Sequence, residues 1–157
     1  MDNFILECER LKTIGDISYW NPIKLRTCNS FLGSCGSREM TSLDVSGWNT
    51  PLLESATNFV GGRVKALDIS NWDTTKLTAF SFTSSMEYLI MDKEEIKFSG
   101  SFKCPHPNNT MKYLVPLSMV NDYKQHPNWS AWANQIDSVT NYTINRGGGK
   151  VIVVPNY

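Results

Sequence analysis

The side chains best able to do chemistry in this chain are four cysteines, two histidines and a few carboxylates, and their spacing decides whether they can act together. Cys8, Cys28, Cys35 and Cys104 form no CxxC pair. A zinc site would need Cys104 and His106 plus distant helpers, so small buried thiols are the expected state. Serine, histidine and aspartate are all present, but nothing resembles a nucleophile elbow or a Cys-His arrangement. Gly147-Gly148-Gly149 is not followed by a Lys-Ser/Thr helix, so it reads as a turn and not as a phosphate loop. Asp92, Glu94 and Glu95 could hold calcium weakly, although a solvated acidic face is the expected reading. His106 and His126 stand beside prolines in surface loops. The chain is therefore expected to be non-enzymatic, with no catalytic, cofactor-binding or metal site.

Trp20, Trp48 and Trp72 are the remaining candidates. Aromatics spaced one structural repeat apart can stack on sugar rings, which would make their face a glycan binder. The competing expectation, and the favoured one, is that they fill the core or cover a turn.

The elements that position these tryptophans come from a repeat. Asp16-Ile17-Ser18-Tyr19-Trp20-Asn21 returns as Asp44-Val45-Ser46-Gly47-Trp48-Asn49 and again as Asp68-Ile69-Ser70-Asn71-Trp72-Asp73, at nearly even spacing. Leu25, Leu53 and Leu77 follow the three tryptophans at one common offset. Phe31 and Phe59 come next, with Phe82 one place early. Leu43 and Leu67 precede the motif, and Gly15 takes that place in the first copy. The alternation in Leu67-Asp68-Ile69 predicts a short half-buried strand. The Ser-x-Trp-(Asn/Asp) segment turns the chain with side chains that bond nearby backbone. Such units bury their apolar sides only against one another, so a solenoid with a parallel strand ladder is expected.

These residues resemble the BspA-type leucine-rich repeat, found in bacterial surface proteins, in some protists and in phage-encoded proteins. Leu67 to Thr74 matches that pattern closely, and Leu43 to Thr50 matches with Asn49 for the acid. The first copy departs at Gly15, Tyr19 and Pro22, and the methionines of the family's helical arm are mostly missing. Such arrays often end in a valine-proline strand, a tyrosine-lysine helix and a tryptophan-rich segment. Here these are Tyr113-Leu114-Val115-Pro116, Val120 to Lys124, and Asn128 to Ile136. The resemblance covers about residues 4 to 136. It implies an α+β repeat fold: a short leucine-rich-repeat-like solenoid closed by a C-terminal helix-plus-hairpin cap. The expected organisation is a solenoid over 1–98, with motifs near 14–31, 43–59 and 67–82. A connector over 99–110 and a cap with a hairpin over 111–157 follow.

Within the cap, Ser118 is expected to cap a helix that Pro127 stops. Trp129, Trp132, Ala133 and Ile136 fall at i, i+3, i+4 and i+7, one apolar helical face. Tyr142 to Pro155 reads as a hairpin across the glycine turn, and the apolar run Val151 to Val154 calls for cover on both faces. Phe4-x-x-x-Cys8 matches Phe31-x-x-x-Cys35. Cys8 and Cys35 are therefore equivalent, as stacked thiols in the favoured reading or as a disulfide in the other. Phe4, Ile5 and Leu6 then mark an uncapped end that meets a subunit, unless residues 1–10 fold over it. Val151 and Val153 form a second candidate assembly edge, with pairing inside the fold preferred.

Lysine plus arginine balance aspartate plus glutamate at 15 each, so nucleic acid is a poor partner. No run approaches the roughly 18 apolar residues that span a bilayer, so no membrane insertion is expected. Met1 to Glu7 lacks the features of a secretion signal. The expected function is a structural or interaction protein whose partners are its own subunits, other virion proteins, or a host-surface receptor or glycan. A phage virion component, made in the cytoplasm, is the first setting. A fragment of a bacterial cell-surface adhesin is the rival, and a carbohydrate-binding module using the tryptophans is the third.

Overall fold

The computed structural model describes residues 1–2, 13–33, 40–61, 63–82, 85–95, 98 and 110–157. Phe4, Ile5, Leu6, Cys8, Cys35, Cys104 and His106 lie outside these residues, as does the connector up to Asn109.

Five short strands form one parallel sheet in chain order: β1 (Ser42–Asp44), β3 (Ala66–Asp68), β5 (Tyr88–Ile90), β6 (Lys112–Val115) and β7 (Ile136–Ser138). Each pairs with the next at an almost unchanging offset along the chain: Leu43 with Leu67, Leu67 with Leu89, Leu89 with Tyr113, and Tyr113 with Ile136. These five side chains therefore align in one row facing the main core. Parallel strands need both faces covered, and here they have it. The alternate residues Ala66, Ile90 and Leu114 are buried on the other face, against a different part of the chain. Between these strands, β2 (Ser55–Ala56) and β4 (Ala79–Phe80) form a second parallel pair, extended by bridges from Thr27 to Ser55 and from Leu32 to Val60.

Two aromatic columns fill the space between the ladders. Trp20, Trp48 and Trp72 stack with nearly parallel ring planes at 6.1 and 6.2 Å, and Phe31 stacks on Phe59 at 5.3 Å. The columns interlock edge-on, with Phe31 and Phe59 at 5.4 and 6.0 Å from Trp48. Offset and edge-to-face arrangements of this kind are the favoured aromatic geometries.

The C-terminal part departs from expectation in three ways. First, β6 and β7 extend the same sheet into the region read as a cap. Second, α1 spans Val120–Gln125 after a 3-10 turn, and Ser118 does not cap it. The Ser118 hydroxyl donates to Glu94 Oε2 instead, at 2.7 Å. Third, the expected helical face from Trp129 to Ile136 is a pair of 3-10 turns broken at Trp132, followed by β7. His126 is already extended before Pro127, as a residue preceding proline prefers, and Ile136 is then taken by the sheet edge. The first repeat also differs from the later ones. Gly15 has a φ of 77° and no strand forms there.

The hairpin itself is as expected: β8 (Tyr142–Gly147) and β9 (Lys150–Pro155) pair antiparallel. Gly148 and Gly149 both take positive φ in the turn, the conformation a two-residue hairpin loop demands. It pairs within the fold, but Val151 to Val154 is not covered on both faces. Val151 is buried and Val153 half-buried, while Ile152 and Val154 are about half exposed, at 56% and 48%. Alternation prevails because one face of β9 lies on the sheet and the other faces outward.

Candidate functional site

The tryptophan ladder is a core feature. Trp48 and Trp72 are fully buried and Trp20 is half-buried, so Trp48 and Trp72 present no ring face to a sugar. Their polar edges are used internally. The Trp48 Nε1–H donates to the Ile17 carbonyl at 2.7 Å, and the Trp72 Nε1–H to the Val45 carbonyl at 3.2 Å. Each of those carbonyls also accepts from the tryptophan amide of its own turn. One oxygen thus closes its turn and holds the indole of the next.

The repeated Asp-x-Ser forms the same local bond each time. Asp16, Asp44 and Asp68 accept, through Oδ1, the amide and the hydroxyl of Ser18, Ser46 and Ser70, at 2.5 to 3.0 Å. This is the Asx-turn chemistry that competes with regular strand pairing, and it ends β1 at Asp44 and β3 at Asp68. The Ser18 hydroxyl and amide, helped by the Gly149 amide, hold the Asp16 carboxyl below its usual range.

The chain's own hairpin lies on the face of the sheet opposite the main core. Val151, with Ile144, Val153 and Tyr142, packs on Ala66, Ile90 and Leu114. Val151 is thus buried inside the chain. Tyr142 meets Tyr88 edge-on at 5.6 Å and donates its hydroxyl to Asp137 Oδ2 at 2.9 Å. Burial and that bond both raise the Tyr142 phenol.

Polar contacts fix the hairpin in place. Arg146 donates through Nε and Nη2 to Asp68 Oδ2, both at 2.6 Å, and the Asp68 side chain is fully buried. The Val151 amide donates to Ser42 Oγ at 3.2 Å, and the Asp44 amide donates to the Gly149 carbonyl at 3.1 Å. None of these pairings was legible in the sequence, because the partners stand far apart along the chain.

The remaining chemistry is quiet. The Cys28 thiol is buried and pushed up to about 12 by that burial, so it is no nucleophile. Of the acidic cluster, the Glu94 carboxylate accepts from the Ser118 hydroxyl, and the Asp92 backbone amide donates to Ser70 Oγ. His126 is half-buried at the end of α1, and its Nδ1 accepts from the Asn128 amide. Among the described residues no group of three or more potential ligands could hold a metal. No described helix is long and apolar enough to cross a membrane. An open cleft of about 540 Å³ is lined by Thr110, Lys112, Trp132, Asn134 and Gln135.

The class these features define is an α/β chain with a parallel sheet whose second face is filled by its own C-terminal hairpin. No family model, curated protein or solved structure matches the chain.

Proposed function

We propose that this chain is a short leucine-rich-repeat-like solenoid of the BspA type that works as a non-catalytic interaction module. The observation that carries the reading is the in-register stacking of five parallel strands, each displaced from the last by one turn of nearly constant length. Interlocked aromatic columns with cross-turn indole bonds back it. Repeating geometry of this kind makes a stiff body whose surface, not an interior pocket, meets other molecules. Polar side chains of the repeat bond within the chain, as Asp44 does with Ser46 and Asp68 with Ser70 and Arg146.

The contact surface put forward is the outer face of the hairpin. Ile152 and Val154 stand exposed there, opposite Asn145 and Thr143 in the register. Its partner is another protein, in the setting of a phage virion or of a bacterial surface. The test is crosslinking mass spectrometry on the native assembly, compared for wild type and Ile152→Asp/Val154→Asp. Crosslinks from the hairpin to a partner, lost in the double variant, are expected. A partner that stays bound to the folded variant would remove this surface from consideration.

A further inference from the structure

We infer that the tip of the C-terminal hairpin plugs the N-terminal edge of the parallel sheet, and that this edge, unplugged, takes a second copy of the same chain. The inference stands on the geometry of the edge and does not depend on the partner proposed above.

The sheet has two unlike edges, β1 at one end and β7 at the other, with all strands pointing the same way. Among the described residues the first repeat supplies no strand to cover β1. Its Gly15, at φ 77°, turns the chain where later copies carry a leucine. A strand edge left in that state offers unpaired backbone donors and acceptors to any passing strand.

The hairpin tip occupies the gap. The Asp44 amide points away from β3, and it donates to the Gly149 carbonyl. Ser42 shares that edge by the two-residue period of a strand, and its hydroxyl accepts the Val151 amide. Gly149 also touches the first repeat: a Cβ there would lie 2.4 Å from the Gly15 oxygen and 2.9 Å from the Asp16 Cα. The tip is therefore wedged between β1 and the first turn, and only a glycine fits. Gly148, next to it in the same turn and also at positive φ, would meet nothing within 4 Å. The Arg146–Asp68 ion pair anchors the stem behind the wedge.

A second copy suits the vacated edge because every strand of the sheet is parallel. The β7 edge of one molecule presents a strand of the same polarity as the one β1 lacks. Two unlike edges give a head-to-tail contact, which builds a ring or an open filament and not a two-fold dimer. Withdrawal of the plug should therefore yield assemblies larger than a dimer.

The experiment compares Gly149→Asn with Gly148→Asn in the full chain. Asparagine tolerates positive φ at both sites, so the pair differs in the close approach to Gly15. Light scattering after size exclusion should show Gly148→Asn at the wild-type mass. Gly149→Asn should form species several-fold heavier that grow with concentration. Adding Ser42→Pro, which removes an edge donor where proline is tolerated, should return Gly149→Asn to the wild-type mass. A folded Gly149→Asn at the wild-type mass would overturn the inference, and so would association that Ser42→Pro leaves unchanged. Should Gly149→Asn not fold, Arg146→Gln is read by hydrogen exchange at the Asp44 amide together with mass. Tenfold faster exchange with association supports the plug, and exchange and mass both unchanged refute it.

Discussion

Gly47 offers a test in which two effects of known sign compete. It lies in the second Asp-x-Ser-x-Trp turn with an ordinary backbone conformation, so alanine is sterically acceptable as a single residue. By restricting the unfolded chain, Gly47→Ala should gain about 0.4–1 kcal/mol. The added Cβ, however, would lie 2.2 Å from the Ser18 carbonyl oxygen of the preceding turn, where ordinary contact begins at 3.4 Å. The two turns must therefore part by about 1 Å. That seam also carries the Trp48 to Ile17 hydrogen bond at 2.7 Å and the Trp20–Trp48 stack. A parting of about 1 Å takes the bond out of hydrogen-bonding range, at about 1–3 kcal/mol for the buried donor. A loosened stack costs about 0.5–1.5 kcal/mol more. The clash wins, and the net loss should be about 1–3 kcal/mol after the entropic gain. Urea unfolding should then show a midpoint about 0.5–1.5 M lower, for a slope of about 2 kcal/mol per M. Gly147→Ala, at a glycine with open space around it, is the control and should show only the entropic gain of about 0.4–1 kcal/mol. A Gly47→Ala protein as stable as wild type would refute the tight seam between turns and with it the indole-to-carbonyl linkage.

Three further outcomes follow from the same contacts. Trp48→Phe removes a buried indole and its bond to Ile17, and should cost about 2–3 kcal/mol in urea unfolding. Trp20→Phe, at the half-buried position, should cost less than half of that, and equal losses would argue against the graded ladder. Arg146→Ala leaves the buried Asp68 carboxylate without its cation. Because Arg146 is itself 37% exposed, the expected loss is about 1–3 kcal/mol, below the usual figure for a fully buried pair. A double-mutant cycle with Asp68→Asn showing no coupling would contradict the anchor. Cys28 supplies the pH test. Its folded pKa is raised from 9.0 to about 12 by burial, so the folded state holds the thiol proton more tightly than the unfolded state. The resulting stability is complete below pH 9 and disappears as pH climbs through about 12. The advantage of wild type over Cys28→Ala should shrink by about 1.4 kcal/mol per pH unit in that window; a constant difference across it would refute the assignment.

Much of the sheet could be read in advance because its cause is periodic. Leu43 and Leu67 head matching motifs one repeat apart, and the structure pairs them with each other. The hairpin was equally legible, since three glycines between two β-branched runs leave few alternatives. Ser118 and Trp129 to Ile136 misled for a shared reason. Apolar residues at helical spacing state only which side chains want burial, and a sheet edge can satisfy Ile136 as well as a helix face does. The proposed contact surface was half legible. Val151 to Val154 announced an apolar strand, while the choice of Ile152 and Val154 as its exposed members depended on which side met the sheet.

The sequence by itself determined the repeat, the strand-ending Asp-x-Ser turns and the glycine turn, all of them local devices acting within a short stretch of chain. Tertiary structure alone decided that the tryptophans face inward, and that the hairpin returns to β1 and β3. It also decided that Gly149, not Gly148, is the position no side chain can enter. Those outcomes rest on contacts between distant parts of the chain, such as Val151 with Ser42, and they depend on which face and edge the stacked strands leave open. No local pattern encodes that remainder, because it exists only once the strands have paired.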